Sequence, residues 1–137
     1  MILLDTHVLI WFSIGDKRLG RQARELVFAA AKRGQTAVSP ISFWEAGMLA
    51  RKNRVGLGMP VAVWAAEIMA SGSPVLLALT PEIALNAGEL TNDIHGDPAD
   101  RMIIATARAH ACTLLTSDRK ILSYAKAGHL HAIDARR

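Results

Sequence analysis

A single cysteine, Cys112, stands among the 137 residues. No internal disulfide can form, and nothing calls for an oxidising compartment; Cys112 reads as a small buried apolar side chain. Long apolar runs are also missing. The best candidate, Val61 to Ala70, is broken by Glu67 and falls short of the eighteen or so residues that cross a bilayer. Asp5 and His7 interrupt the first apolar run, and no basic leader precedes it, which makes a poor signal peptide. The expectation is a soluble cytoplasmic protein with no membrane partner. No cysteine or histidine cluster has zinc spacing, and His129 and His131 read as surface residues. A serine elbow, a Walker loop and a glycine-rich dinucleotide fingerprint are all absent. Repeats, low-complexity segments and linkers are lacking too, so residues 1–137 are expected to form one domain.

Half of the residues are apolar and a fifth are charged, a globular balance in a chain long enough for a proper core. Sixteen Lys and Arg against twelve Asp and Glu give a net charge of +4. If four acids are gathered in one site, eight acids remain against those sixteen cations, or +8 elsewhere. A basic surface around an acidic pocket suits a polyanionic substrate and a metal ion together.

Apolar runs at Ile2–Leu4, Thr36–Ser39, Val75–Leu79, Thr113–Thr116 and Leu130–Asp134 read as short strands, the last at an edge. Helical periodicity or capping marks Thr6 to Phe12, Leu19 to Arg33, Ser42 to about Asn53, Pro60 to Ala70, Glu82 to Leu90, and segments following Asp97 and Asp118. Ser42 and Glu45 have the spacing of a capping box. Phe43, Trp44 and Trp64 read as core in preference to an exposed groove. Strands alternating with helices, without hairpin signals, predict an α/β fold. Its central sheet is mostly parallel and covered by helices on both faces, a three-layer sandwich.

Acids recur where a strand has just ended and a helix begins. Asp5 follows Ile2-Leu3-Leu4, and Asp118 follows the Thr113 strand in the same way. Glu45 lies early in the helix after the second strand. Capping accounts almost fully for Asp97, whereas Asp100, one turn further on, is less well explained by it. Parallel strands bring their C-terminal ends to one edge, where ligands bind in open α/β sheets. Four carboxylates gathered there cannot all remain ionised uncompensated, and hard divalent cations with oxygen ligands, Mg2+ or Mn2+, resolve the conflict. Such ions align and hydrolyse a phosphodiester without a protein nucleophile. His7 and His95, beside the acids, are candidates to orient substrate. Lys17, Arg18, Arg21 and Arg24, and Arg51, Lys52 and Arg54, are candidate phosphate contacts or simply solvated faces.

DTHVLIW, SFWEAGML, DPADRMIIATA and LLTSDRKI, in that order, resemble the PIN-domain nucleases, and closely the VapC-type toxins of toxin-antitoxin systems. The resemblance spans nearly the whole chain. It implies a PIN-like sandwich and Mg2+-dependent endonucleolytic cleavage of RNA. It also implies homodimers and a small antitoxin that covers the site with its C-terminal segment. By position it makes Asp5, Glu45, Asp100 and Asp118 the catalytic and metal-binding acids, with Asp5 and Asp100 as direct ligands. Asp97 is the alternative to Asp100. Thr6 and Thr116 would be hydroxyls that orient carboxylates. Rival readings are a PIN nuclease of RNA processing or decay and a PIN-like binding module without turnover. A phosphate-accepting receiver domain fits less well, lacking paired acids after its first strand and a lysine after its last.

Overall fold

The computed structural model describes residues 1–91, 94 and 96–137. In chain order the elements are β1 (Ile2–Leu4), α1 (Thr6–Ile14), α2 (Arg21–Lys32), β2 (Thr36–Val38), α3 (Pro40–Arg51) and α4 (Val61–Ala70). There follow β3 (Val75–Leu76), α5 (Pro81–Glu89), α6 (Pro98–Ala109), β4 (Thr113–Thr116), α7 (Arg119–Lys126) and β5 (Ala132–Asp134). The five strands form one sheet in the order β3-β2-β1-β4-β5, and every neighbouring pair is parallel. The expected α/β sandwich is the observed fold, with a sheet that is wholly parallel among the described residues. No helix among them is long and apolar enough to cross a membrane.

Because successive side chains of a strand point to opposite faces, each strand feeds two cores. Leu4, Val38 and Leu115 pack on one face with Val8, Leu9, Val27, Leu49, Trp64 and Ile68 from α1, α2, α3 and α4. Leu3, Ala37 and Leu114 pack on the other with Ile103, Ile104 and Ala107 of α6 and Ile121 and Tyr124 of α7. Each fully buried Leu or Ile contributes about 1.5–3 kcal/mol of apolar transfer energy. The central strands are only three or four residues long, and it is these two layers that hold them in register. Helix α1 presents apolar residues around most of its circumference, with Thr6, Val8, Leu9, Ile10 and Trp11 all buried. It lies between sheet and neighbouring helices as an inner helix does. Cys112 is buried, as expected.

Several sequence expectations shift in detail. Helix α3 is capped by Ser39, whose Oγ accepts from the Ile41 N–H at 3.2 Å, and Pro40 takes the first helical position. The capping box of Ser42 and Glu45 does not form. Ser42 is already one turn inside, and its Oγ accepts a hydrogen bond from Thr6 Oγ1 at 3.0 Å. Trp44 is not core: it is 59% exposed, while Trp64 is 2% exposed and donates from Nε1 to Ser13 Oγ at 2.8 Å. Helix α2 begins at Arg21 rather than Leu19, after a close approach of the chain end. The Gly20 N–H donates to the Ala135 carbonyl at 2.8 Å and the Ala23 N–H to the Arg137 carbonyl at 2.9 Å.

Candidate active site

Each acid at the sheet's C-terminal edge is placed by the start of a helix. Asp5 leaves β1 and caps α1: Oδ1 accepts from the Thr6 N–H at 2.8 Å. Its other oxygen, Oδ2, accepts from the Thr116 hydroxyl at 2.6 Å. Thr116 ends β4, directly beside β1, and its oxygen also accepts from the Asp118 N–H at 3.1 Å. One buried hydroxyl thus ties the two strand ends together. Asp118 caps α7, with Oδ1 accepting from the Lys120 and Ile121 N–H groups at 2.8 and 3.0 Å. Asp97 caps α6, its Oδ1 accepting from the Asp100 N–H at 3.1 Å. Asp100 lies in the first turn of α6, where the helix macrodipole favours an anion. Glu45 arrives from the second turn of α3.

One carboxylate oxygen each from Glu45, Asp97 and Asp100 lies within 4.8 Å of the others. Asp5 and Asp118 complete the group electrostatically. Burial pushes the Asp100 carboxyl up to about 8, and Asp5, Asp97, Asp118 and Glu45 all push in the same direction. Burial likewise raises Asp5. The Thr116 hydroxyl, the Thr6 N–H and His7 hold it back, and Asp118 adds to the rise. Glu45 is raised by burial, restrained by the Thr6 hydroxyl and His7, and pushed further by Asp5 and Asp97. Carboxyls that hold protons so far above their usual range lack positive charge. An oxygen-only donor set of this density suits a hard divalent cation. The residues fit such an ion.

All four acids expected from the sequence, Asp5, Glu45, Asp100 and Asp118, therefore meet at one edge. Asp97, the alternative to Asp100, lies in the same cluster. Asp97 both caps α6 and stands in the cluster. Residues three apart at a helix start share a face. Thr6 and Thr116 stand where hydroxyls can orient the acids, and His7 stands beside Asp5 and Glu45. His95 lies outside the described residues. His129 is stacked on Tyr124 with ring centroids 4.4 Å apart.

Three of the cations around the start of α2 are engaged locally. Arg18 pairs with Asp16 at 2.7 Å and lies over the Trp11 ring at 5.2 Å, Arg21 pairs with Glu25, and Arg24 donates to the Asp16 carbonyl at 2.9 Å. Arg119 and Lys120 were not singled out from the sequence. They are exposed in the first turn of α7 beside Asp118, and among the described residues their side chains have no ion-pair partner.

The structure is a parallel α/β sandwich that gathers acids at the C-terminal edge of its sheet, three of them close enough together to hold a metal ion. Residues 2–127 match the PIN domain, and the chain belongs to the PIN-domain family. It is 37% identical over 123 residues to ribonuclease VapC22 of Mycobacterium tuberculosis (strain ATCC 25618 / H37Rv), covering 90% of this chain and 91% of that protein. The chain is accordingly a VapC-type member. Solved structures give the same fold. VapBC2 from Rickettsia felis, in a complex bound to a DNA fragment from its promoter, superposes with a TM-score of 0.67 at 16% identity over 98% of both chains. Mycobacterium tuberculosis VapC20, described as a sarcin-ricin loop cleaving toxin, superposes with a TM-score of 0.64 at 20% identity over 93% of this chain and 95% of that one.

Proposed function

We propose that this chain is an endoribonuclease toxin that hydrolyses RNA phosphodiester bonds with a divalent ion, Mg2+ or Mn2+. Its activity would be held in check by a small antitoxin protein. The observation that carries the reading is the convergence of Asp5, Glu45, Asp97, Asp100 and Asp118 from four separate helix starts onto one edge. The VapC22 relationship supplies the ribonuclease class. Asp5, Glu45, Asp100 and Asp118 would hold the ion, with Asp97 within reach of the same position. A divalent cation in that position supplies Lewis-acid activation of water and charge compensation for the phosphodiester.

The chain's own residues do the rest. The Thr116 hydroxyl and the Thr6 N–H fix both oxygens of Asp5, so its free lone pairs are preset rather than searched for. The Thr6 hydroxyl and His7 draw Glu45 toward its ionised form. Asp100, whose carboxyl is pushed up to about 8 by burial and its acidic neighbours, would give up its proton to serve as a ligand. Arg119 and Lys120 stand at the mouth beside Asp118 to meet substrate phosphates.

The test uses purified protein and a mixed RNA substrate. Cleavage is expected with Mg2+ or Mn2+ and should cease in excess chelator. Asp5→Asn and Asp100→Asn should abolish it while leaving the folded circular dichroism spectrum intact. Cutting that persists in chelator would overturn the metal reading. Inhibition by the product of a short reading frame adjoining the gene favours a toxin over an RNA-processing nuclease. Sedimentation of the free protein tests the expected homodimer.

A further inference from the structure

A second group of polar side chains lies away from the acids, along the same two helices toward their C-terminal ends. A cavity of about 470 Å³ opens where the end of α5 meets the third turn of α6 and the second turn of α7. Asn86, Glu89, Arg108, Tyr124 and His129 bring polar groups to it. The Tyr124 and His129 rings are stacked with an interplanar angle of 26°. Arg108 Nη1 donates to the Tyr124 hydroxyl at 3.4 Å, which sets the guanidinium at the rim. A pocket of this size falls in the range of small-molecule sites. Its chemistry differs from that of the acids: an aromatic stack, a planar cation and one carboxylate.

Helix geometry connects this pocket to the acids. Ala105 and Arg108 lie five and eight residues beyond Asp100 on α6, about 8–12 Å along the axis. Tyr124 lies six residues beyond Asp118 on α7, about 9 Å. Arg101 stands between, stapling the end of α5 by donating to the carbonyls of Ala87 at 2.9 Å, Gly88 at 3.2 Å and Leu90 at 2.6 Å. That staple holds Asn86 and Glu89 over the same face of α6 as Arg108. A nucleic-acid strand advancing about 3.4 Å per stacked nucleotide covers the distance in roughly two to four nucleotides.

The geometry points to this hollow as a base pocket for the substrate strand, which takes an unstacked guanine two to four nucleotides from the bond that is cut. Proteins that read single-stranded RNA splay bases out and hold them by stacking and by hydrogen bonds to their edges. Arginine is the matching donor for guanine O6 and N7, and a carboxylate accepts from N1–H and N2–H2 on the opposite edge. Arg108 and Glu89 supply that pair, the aromatic stack supplies the flat wall, and Asn86 offers an amide at the rim. The proposal rests on the ribonuclease reading and names where its sequence preference resides.

Cleavage of a pool of oligoribonucleotides randomised around the scissile bond tests it. Wild-type protein should select guanine at one position two to four nucleotides from the cut. Arg108→Gln and Glu89→Gln should each lower kcat/KM for guanine-bearing substrates by about 10–100-fold and bring them level with the other bases. Neither residue belongs to the acidic site. Glu89 is exposed, so Glu89→Gln should leave the melting temperature unchanged and separates recognition from folding. Unchanged positional preference in both variants, or a wild-type enzyme indifferent to base in that window, overturns the base pocket while the ribonuclease reading stands. A wild-type protein that cuts no RNA at all overturns both.

Discussion

Asp100→Asn should make the metal-free protein more stable, and the gain should grow with pH. The folded chain holds the Asp100 proton up to about 8, whereas an unperturbed aspartate releases it near 3.8. Below pH 3.8 both states are protonated and the group has no preference. Between 3.8 and 8 the unfolded chain ionises while the folded chain cannot follow. The protonated folded state therefore loses ground steadily as pH rises, and the cost to stability is complete above the folded value. In a dry site a displacement from 3.8 to about 8 would amount to roughly 6 kcal/mol at about 1.4 kcal/mol per pH unit. Asp100 is only half-buried and its partners can protonate too, so solvent screening reduces the expected gain to ~1–2 kcal/mol. For a chain of this length that is about 4–8 °C in melting temperature. Thermal denaturation of wild type and Asp100→Asn in chelator, at pH 5 and pH 8, reads it directly. Adding Mg2+ or Mn2+ should reverse the order at pH 8, because only the wild type gains the binding term RT ln(1 + [L]/Kd). A variant that is less stable at both pH values, or a gain that does not widen from pH 5 to pH 8, would refute the account of a charge-frustrated site.

Other expectations follow from single contacts. Thr116→Val removes the donor to a buried carboxylate, and should cost about 1–3 kcal/mol in denaturant titrations and weaken metal binding about 10–100-fold by calorimetry. Gly20→Ala should destabilise by about 1–3 kcal/mol, because a Cβ there would stand 2.0 Å from the Arg137 carbonyl oxygen. Deleting Arg136 and Arg137 should relieve most of that cost, as melting curves of the four combinations will report. Asp118→Ser keeps an oxygen for the α7 cap and should hold stability within about 0.5 kcal/mol, whereas Asp118→Ala should lose about 1 kcal/mol. Both should lose RNA cleavage, and a Ser variant that still cuts would show that the charge at 118 is dispensable.

Period and punctuation made the fold legible. Ile2-Leu3-Leu4 and Leu114-Leu115 are unbroken apolar runs because both faces of a parallel strand are covered, and the proline and Asx starts of α5, α6 and α7 stand where local capping rules put them. The errors arose where tertiary contact outranked local pattern. Ser42 has the spacing of a cap, but Thr6, 36 residues earlier, claims its hydroxyl, and Ser39 is left to cap. Trp44 and Trp64 are equally apolar on paper. Only the packing of α4 against α1 decides that Trp64 is enclosed and Trp44 is not. The pocket between α5, α6 and α7 has no sequence signature at all, since its walls come from three helices with unrelated spacing.

The acids were legible because of the way helices start. Asp5, Asp97 and Asp118 are all N-caps, and Asp100 is in a first turn. A helix N-terminus carries about half a positive charge, so three such ends aimed at one edge lessen the repulsion among carboxylates that would otherwise scatter. They do not abolish it, as the proton affinity of Asp100 records. Capping is therefore the means by which the chain assembles an acidic site at all: backbone N–H groups take one lone pair of a carboxylate and leave the others for a cation. Asp97 shows that the two uses of one carboxylate are compatible: its Oδ1 accepts from the Asp100 N–H while the carboxylate stands in the acidic cluster. Glu45, which caps nothing, has to be held by side chains instead, and Thr6 and His7 are the groups that restrain its charge.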